Sequence, residues 1–363
     1  MYSEDDLEAA IAAGVVDRQS IERMRSFLAR ASRTAAVDEE HFRLITGFND
    51  IFVSIACVLL LVALGWIGQA IPLGLAEGPR PLGGLFVAVA SWGLAELFTA
   101  RRRMALPSIL LLIGFVGGLF AMVGGTLAAM LDTVDAQRLD RTIGALVIAG
   151  SALVAGGGAW AHWRRFHVPI TVAAGAATGV AVLLALIASI LPHASDHIGV
   201  QIPAFVAGLM IFGLAMRWDM SDPKRETRRA DVAFWLHLLA APLIVHPVFA
   251  MMGLLQGGVG LGGASVVVAL YIVLGLVALA IDRRALMVSA LAYVLYALSE
   301  LFREFGAVSL NIALTALILG SALLMLSAYW TSVRAAVLSA LPEGLRARLP
   351  EAHHPAALTP RSA

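Results

Sequence analysis

Apolar runs about twenty residues long dominate this chain and limit what it can fold into. A run of that length spans the roughly 30 Å hydrocarbon core of a bilayer as a helix. In lipid every main-chain amide must be satisfied within its own segment, so such runs fold as helices. Ten runs can be drawn, at residues 51–71, 81–99, 104–131, 142–161, 168–191, 201–217, 231–254, 261–281, 285–304 and 308–332. The composition agrees: 60% of residues are hydrophobic and only 14% are charged, against about 25% charged in soluble domains. The expected fold is all-α, a polytopic transmembrane helix bundle of about ten spans with a small N-terminal helical hairpin.

Charge placement orients the bundle. With the N-terminus inside, 22 of the 26 basic residues fall in inside segments, and only Arg80, Arg138, Arg141 and Arg303 fall outside. Lysine and arginine accumulate on the cytoplasmic side of membrane proteins. A miscounted span would invert this alternation partway along the chain, and none does. The expectation is a bacterial inner-membrane protein with both termini cytoplasmic. Short basic turns near residues 102, 164, 228 and 283 each join two runs, so the middle of the chain reads as four helical hairpins.

Three units follow. Residues 1–50 read as the cytoplasmic hairpin, with Gly14 ending one helix and Asp17 capping the next. Residues 51–332 form the bundle. Residues 333–363 form an amphipathic tail in which Val337, Leu338, Leu341, Leu345 and Leu349 alternate with Arg346 and Arg348. The hairpin is too short to bury much surface alone, which points to a cytoplasmic protein partner besides the lipid bilayer.

Several functions are excluded or unsupported. The net charge of +1 offers no field for nucleic acid. A single cysteine, Cys57, excludes an internal disulfide and a cysteine-rich metal site. No P-loop, HExxH or GxSxG occurs. The GxGxxG at Gly258–Gly263 lies between two membrane runs and lacks the strand that a dinucleotide site needs. No cofactor and no metal centre is expected.

The candidate polar sites lie within the runs. Ser289, Tyr293, Tyr296, Glu300 and Glu304 fall within about an 80° arc of a regular helix, a stripe from mid-membrane to the outer face. Asn311 and Thr315 begin the next run near the same end. Together they outline a ligand or ion path; the competing reading ends the run near Ser299 and leaves both glutamates among the headgroups beside Arg303. His237 and His246 share a run with Pro242 and Pro247. Nine residues separate the histidines, about 13 Å along the axis and on opposite faces, so they do not share an ion. Glu96 reads as charge balance for Arg101–Arg103. The 28-residue third run, with Gly117, Gly118, Gly124 and Gly125, must tilt, protrude or break, and the two prolines of the seventh suggest a kink. Broken helices are where transporters place ligands. Three pairs, Gly114/Gly118, Gly175/Gly179 and Gly258/Gly262, read as small-residue packing faces.

Four stretches carry a family resemblance: Ala12-Ala-Gly14-Val-Val-Asp17, Arg43-Leu-Ile-Thr-Gly-Phe-Asn-Asp50-Ile-Phe, the run Phe234–Pro247, and the tail ending at Leu349-Pro350. Together they resemble a family of bacterial polytopic membrane proteins defined by a domain of unknown function with a short N-terminal cytoplasmic hairpin. The resemblance implies a membrane bundle and no catalytic or binding residues. The leading expectation is a transporter or small-ligand carrier. The alternatives are a structural or partner-binding membrane protein acting through the hairpin, and a lipid-modifying membrane enzyme.

Overall fold

The computed structural model describes residues 17, 19–21, 48–71, 81–132, 141–190, 197–222, 227–253, 261–283 and 311–346, with residues 287, 291, 294, 295 and 349. The chain divides into two units, Met1–Arg43 with Glu351–Ala363, and Leu44–Pro350. The described part of the first unit is one helical start, where Asp17 Oδ1 accepts the Ser20 amide at 2.8 Å. That is the N-cap predicted there; the rest of the predicted hairpin lies outside the described residues.

The second unit is helical, with no strand among the described residues. Its helices are α1 (Phe48–Ala70), α2 (Pro81–Ala95), α3 (Ala105–Asp132), α4 (Arg141–Phe166), α5 (Ile170–Ile190), α6 (His197–Met220), α7 (Arg228–Met251), α8 (Leu261–Ile281), α9 (Asn311–Ala328), α10 (Trp330–Ser339) and the single turn α11 (Glu343–Arg346). A π-helical turn, Glu96–Arg101, continues α2. Among the described residues the seven helices α1 to α7 are long and apolar enough to cross a membrane, and α9 with α10 would make an eighth span if taken together. This is a multi-pass membrane protein. Of the predicted ninth run only Met287, Leu291, Val294 and Leu295 are described.

Neither the third nor the seventh run breaks. The third run is one helix over 28 residues despite its glycines. The seventh is one helix of 24 residues with Pro242 and Pro247 inside it. In both, neighbouring helices hold the segment together where local propensity would weaken it. The bend falls instead in the tenth run, where α9 and α10 meet at 72° around Tyr329. The tail helix therefore begins at Trp330, before the arginine that seemed to open it. Trp330, Arg334 and Leu338 form its buried stripe, spaced i, i+4, i+8 as an inward helix face requires.

The most extensive helix pairs are α6–α7, α2–α3 and α4–α5. Each pair is joined by one of the predicted basic turns, so all three hairpins close on the same side of the bundle. We call this the basic side. Helix α1 packs on both α2 and α3. Arg103 and His167, which follow the helices ending there, adopt left-handed backbone at φ 52° and 54°.

Glycines set the closeness of these pairs, and of those their spacing singled out Gly114 and Gly118 do so, whereas Gly175, Gly179 and Gly262 do not. Gly118 meets the main chain of Ala88 and Gly84, and Gly114 meets Ser91 and Leu61. Gly175, Gly179 and Gly262 have open space where a Cβ would go. Periodicity places small residues on one face without saying which neighbour that face meets. Glu96 is likewise not balanced by Arg101–Arg103. Its two oxygens accept from Arg165 Nε at 2.9 Å and Nη2 at 2.6 Å, tying the π turn to the end of α4. Both side chains are substantially exposed. Exposed pairs contribute about 0–1 kcal/mol, so Glu96→Gln should leave the unfolding midpoint in detergent within about a degree or two of wild type.

Candidate functional site

Three of the buried ionisable groups of the described bundle meet on the basic side of α6, α7 and α8, apart from Asp50 on α1 and His162 on α4. Asp219 is on the last turn of α6, His237 is ten residues into α7, and Arg283 follows α8. They are 4%, 0% and 2% exposed. His237 Nε2 lies 2.9 Å from Asp219 Oδ2. Arg283 grips the same carboxylate as a fork, with Nε on Oδ2 at 3.2 Å and Nη2 on Oδ1. Nη2 also donates to the Ala230 carbonyl at 3.2 Å. A carboxylate only accepts, so the His237 nitrogen facing it carries the proton. Asp219 and Arg283 cancel in charge, and the protonation of His237 decides whether the trio is neutral or carries +1.

Local structure aims each member. Helix α8 ends in a Schellman motif: Arg283 N donates to Ala278 O at 2.9 Å and Asp282 N to Leu279 O at 3.3 Å. Asp282 occupies the left-handed position at φ 57°, where glycine is the usual residue. The turn folds Arg283 back into the bundle, where a continuing helix would carry it outward. Between α6 and α7, Asp222 Oδ2 accepts the Thr227 amide at 2.9 Å and its hydroxyl at 2.6 Å. The Thr227 Oγ1 in turn accepts the Arg229 amide at 3.2 Å and caps α7. This closed loop sets the register that brings His237 beside Asp219. The Phe212 ring meets the His237 ring edge-on at 5.3 Å.

A second layer binds the tail helix to the same turn. Trp330 Nε1 donates to Asp282 Oδ1 at 2.8 Å. Arg334 Nε donates to Leu279 O at 3.2 Å and lies 3.6 Å from Asp282 Oδ1. Trp330 packs with Ala241, Ala278, Leu279, Ile281 and Met287, and Leu349 rests against that cluster. Adjacent residues 282 and 283 thus serve different partners, the tail and the α6–α7 pair.

Of the residues singled out in the sequence, His237 alone enters this site. His246 is on the exposed face of α7, opposite His237 as the nine-residue spacing requires. Tyr293, Tyr296, Glu300 and Glu304 lie outside the described residues. Their neighbour Val294 is buried with Val245, Phe249, Val267 and Leu319, at the meeting of α7, α8 and α9. Asn311 opens α9 at the end of the bundle away from the basic side. One turn on, Thr315 is buried with its hydroxyl unpartnered, as is the Tyr271 hydroxyl of α8. Among the described residues no group of three or more histidine, cysteine, aspartate or glutamate side chains is placed to hold a metal.

Sequence reasoning missed Asp219 and Arg283. Asp219 seemed to lie just past the sixth run, and Arg283 counted only as a topogenic charge. The available signal was Asp219 itself, an acid in a turn otherwise rich in arginine.

Seven apolar helices closed on one side by arginine turns, with a charged trio buried at that side, define a helical integral membrane protein. No protein-family model, no curated protein and no solved structure matches the chain. Its functional reading therefore rests on geometry.

Proposed function

We propose that this chain is a ten-span protein of the bacterial inner membrane, with both termini cytoplasmic, that carries a small polar ligand. The observation that supports the reading is the buried Asp219–His237–Arg283 trio. Ionisable groups within a membrane bundle are costly and by default mark a ligand, ion or proton pathway. Arg283 and His237 both present donors to the one carboxylate of Asp219. The unpartnered hydroxyls of Tyr271 and Thr315, on helices that meet around Val294, extend a polar lining toward the proposed stripe of Tyr293, Tyr296, Glu300 and Glu304. Ten spans follow from adding α8, the ninth run and the α9–α10 pair to the seven helices above, and the arginine turns support the orientation.

The test is a thermal-shift screen of the purified full chain against ions, metabolites and lipids, run beside Asp219→Asn and Glu300→Gln. A ligand of the folded state stabilises it by about 2.7 kcal/mol at a hundred times its Kd. The expected result is a soluble anion or polar metabolite that raises Tm in wild type and loses that effect in Asp219→Asn. Absence of any shift with soluble compounds overturns the carrier reading in favour of partner binding through the N-terminal segment. A shift that survives both substitutions overturns the path proposed here.

A further inference from the structure

The outer surface of α5 and α6 carries a feature that the charged trio does not use. Helix α6 packs mainly on α7, and α5 meets it over a much shorter contact. A groove of about 240 Å³ opens between the two. Its α5 wall runs from Ala176 to Leu183 and its α6 wall from Ala207 to Leu214, and every lining residue is apolar or glycine. Gly179 leaves it open: a Cβ there would have nothing within 4 Å.

Register fixes the depth of the groove. Helix α5 starts at the basic side and α6 ends there, so the two are antiparallel. Ala176 and Leu214 form the end of the groove toward the basic side, and Leu183 and Ala207 the end nearer the membrane centre. Arg217 is one turn beyond Leu214. Ten residues separate Arg217 from Ala207, about 15 Å along the axis. That is the depth of one leaflet in a hydrocarbon core about 30 Å thick. The groove lies within a single leaflet, with Arg217 at headgroup level.

Charge marks the mouth of the groove. Arg217 is exposed on the face of α6 that also exposes Val206, Met210 and Leu214, as steps of seven and three residues from Met210 and Leu214 require. Asp219, two residues on, turns inward and is held by His237 and Arg283. Asp222 accepts from Thr227. Among the described residues no carboxylate is paired with Arg217. Across the turn Arg228 and Arg229 are also exposed. Residues 217–229 hold five basic and three acidic residues, so the mouth is positive.

We propose that this groove binds one anionic phospholipid of the leaflet on the basic side, with its phosphate on Arg217 and one acyl chain between α5 and α6. Separate observations call for the two parts of that molecule. A hollow at membrane depth leaves its wall atoms without dispersion contacts until hydrocarbon fills it. At about 30 Å³ for a water-sized group, the groove holds about eight methylenes. Basic groups at the mouth of a cleft between membrane helices recruit anionic headgroups. A zwitterionic lipid would bring its own cation toward Arg228 and Arg229, so the net charge of the headgroup selects. Gly179, which packs against no other helix, serves the lipid chain. The proposal is independent of the carrier reading.

The test follows Tm of the full chain in neutral detergent as dioleoyl phosphatidylglycerol or dioleoyl phosphatidylcholine is added. A saturable rise with the anionic lipid, absent with the zwitterionic one, is expected. Arg217→Gln should move its midpoint to about fivefold higher lipid, the effect of one arginine contact at the surface. Gly179→Leu, whose side chain would occupy the groove, should move it at least as far. Both positions are exposed, so both variants should fold. Arg102→Gln, which removes an exposed arginine of the α2–α3 turn, should leave the midpoint unchanged. Inorganic phosphate at matched ionic strength should give no rise. Equal responses to the two lipids would overturn the proposal, as would a rise with inorganic phosphate that matches the lipid. A midpoint unmoved by Arg217→Gln or by Gly179→Leu would overturn it as well. Equal shifts in Arg217→Gln and Arg102→Gln would assign the effect to the whole basic side and overturn the groove. If Gly179→Leu does not fold, the comparison of those two arginine variants decides.

Discussion

Replacing Asp219 with alanine is expected to lower the unfolding free energy of the bundle by about 3–5 kcal/mol, the scale seen when one member of a buried ion pair is removed. The cost arises less from the lost bond than from what remains. Arg283 would stay 2% exposed, held inward by the Schellman turn, with the Ala230 carbonyl as the acceptor it keeps. Equilibrium unfolding in mixed micelles reads this directly. The double variant Asp219→Leu with Arg283→Met should recover most of the loss, because it removes both charges and keeps the volume. If Asp219→Ala alone proves as stable as wild type, the trio is not a buried charge set and the proposed site falls with it.

The second large effect is expected at Gly84. A Cβ there would lie 2.3 Å from the Met122 amide nitrogen and 2.6 Å from Gly118 O. Both are main-chain atoms of α3 and cannot swing aside, so Gly84→Val must push α2 off α3. Overpacking costs about 1–3 kcal/mol and more where the backbone has to move. A fall in folded yield and a Tm well below wild type are expected. The control lies next to the contact itself. A Cβ on Gly117 would have nothing within 4 Å, whereas one on Gly118 would meet Ala88 N at 2.7 Å. Gly117→Ala should be neutral or stabilise by up to about 1 kcal/mol through helix propensity, and Gly118→Ala should destabilise. Equal behaviour of the two would mean that α2 and α3 do not meet as described.

These adjacent glycines show where sequence reasoning stops. Both lie in a run that composition identifies as a membrane helix, and spacing pairs only Gly118 with another glycine, Gly114. Only the neighbouring helix makes one indispensable and leaves the other free. The same holds for His237 and His246. Their nine-residue spacing places them on opposite faces, but nothing local says which face is inward, and Asp219 and Arg283 lie 18 and 46 residues away along the chain. The seventh run looked breakable from its two prolines and the third from its glycines, yet both are continuous because packing outweighs a weak local preference. The bend at Tyr329 had no comparable local signal.

The sequence by itself determined that the chain is a helical membrane protein, where its first eight helices lie, and that its arginine turns share one side. Those properties follow from transfer free energy summed over twenty-residue windows, and that sum needs no knowledge of neighbours. Tertiary structure alone decided that Arg283 turns inward to Asp219 and that Glu96 reaches Arg165. Each is a meeting of residues distant in sequence, fixed by helix register and crossing, which no local pattern encodes.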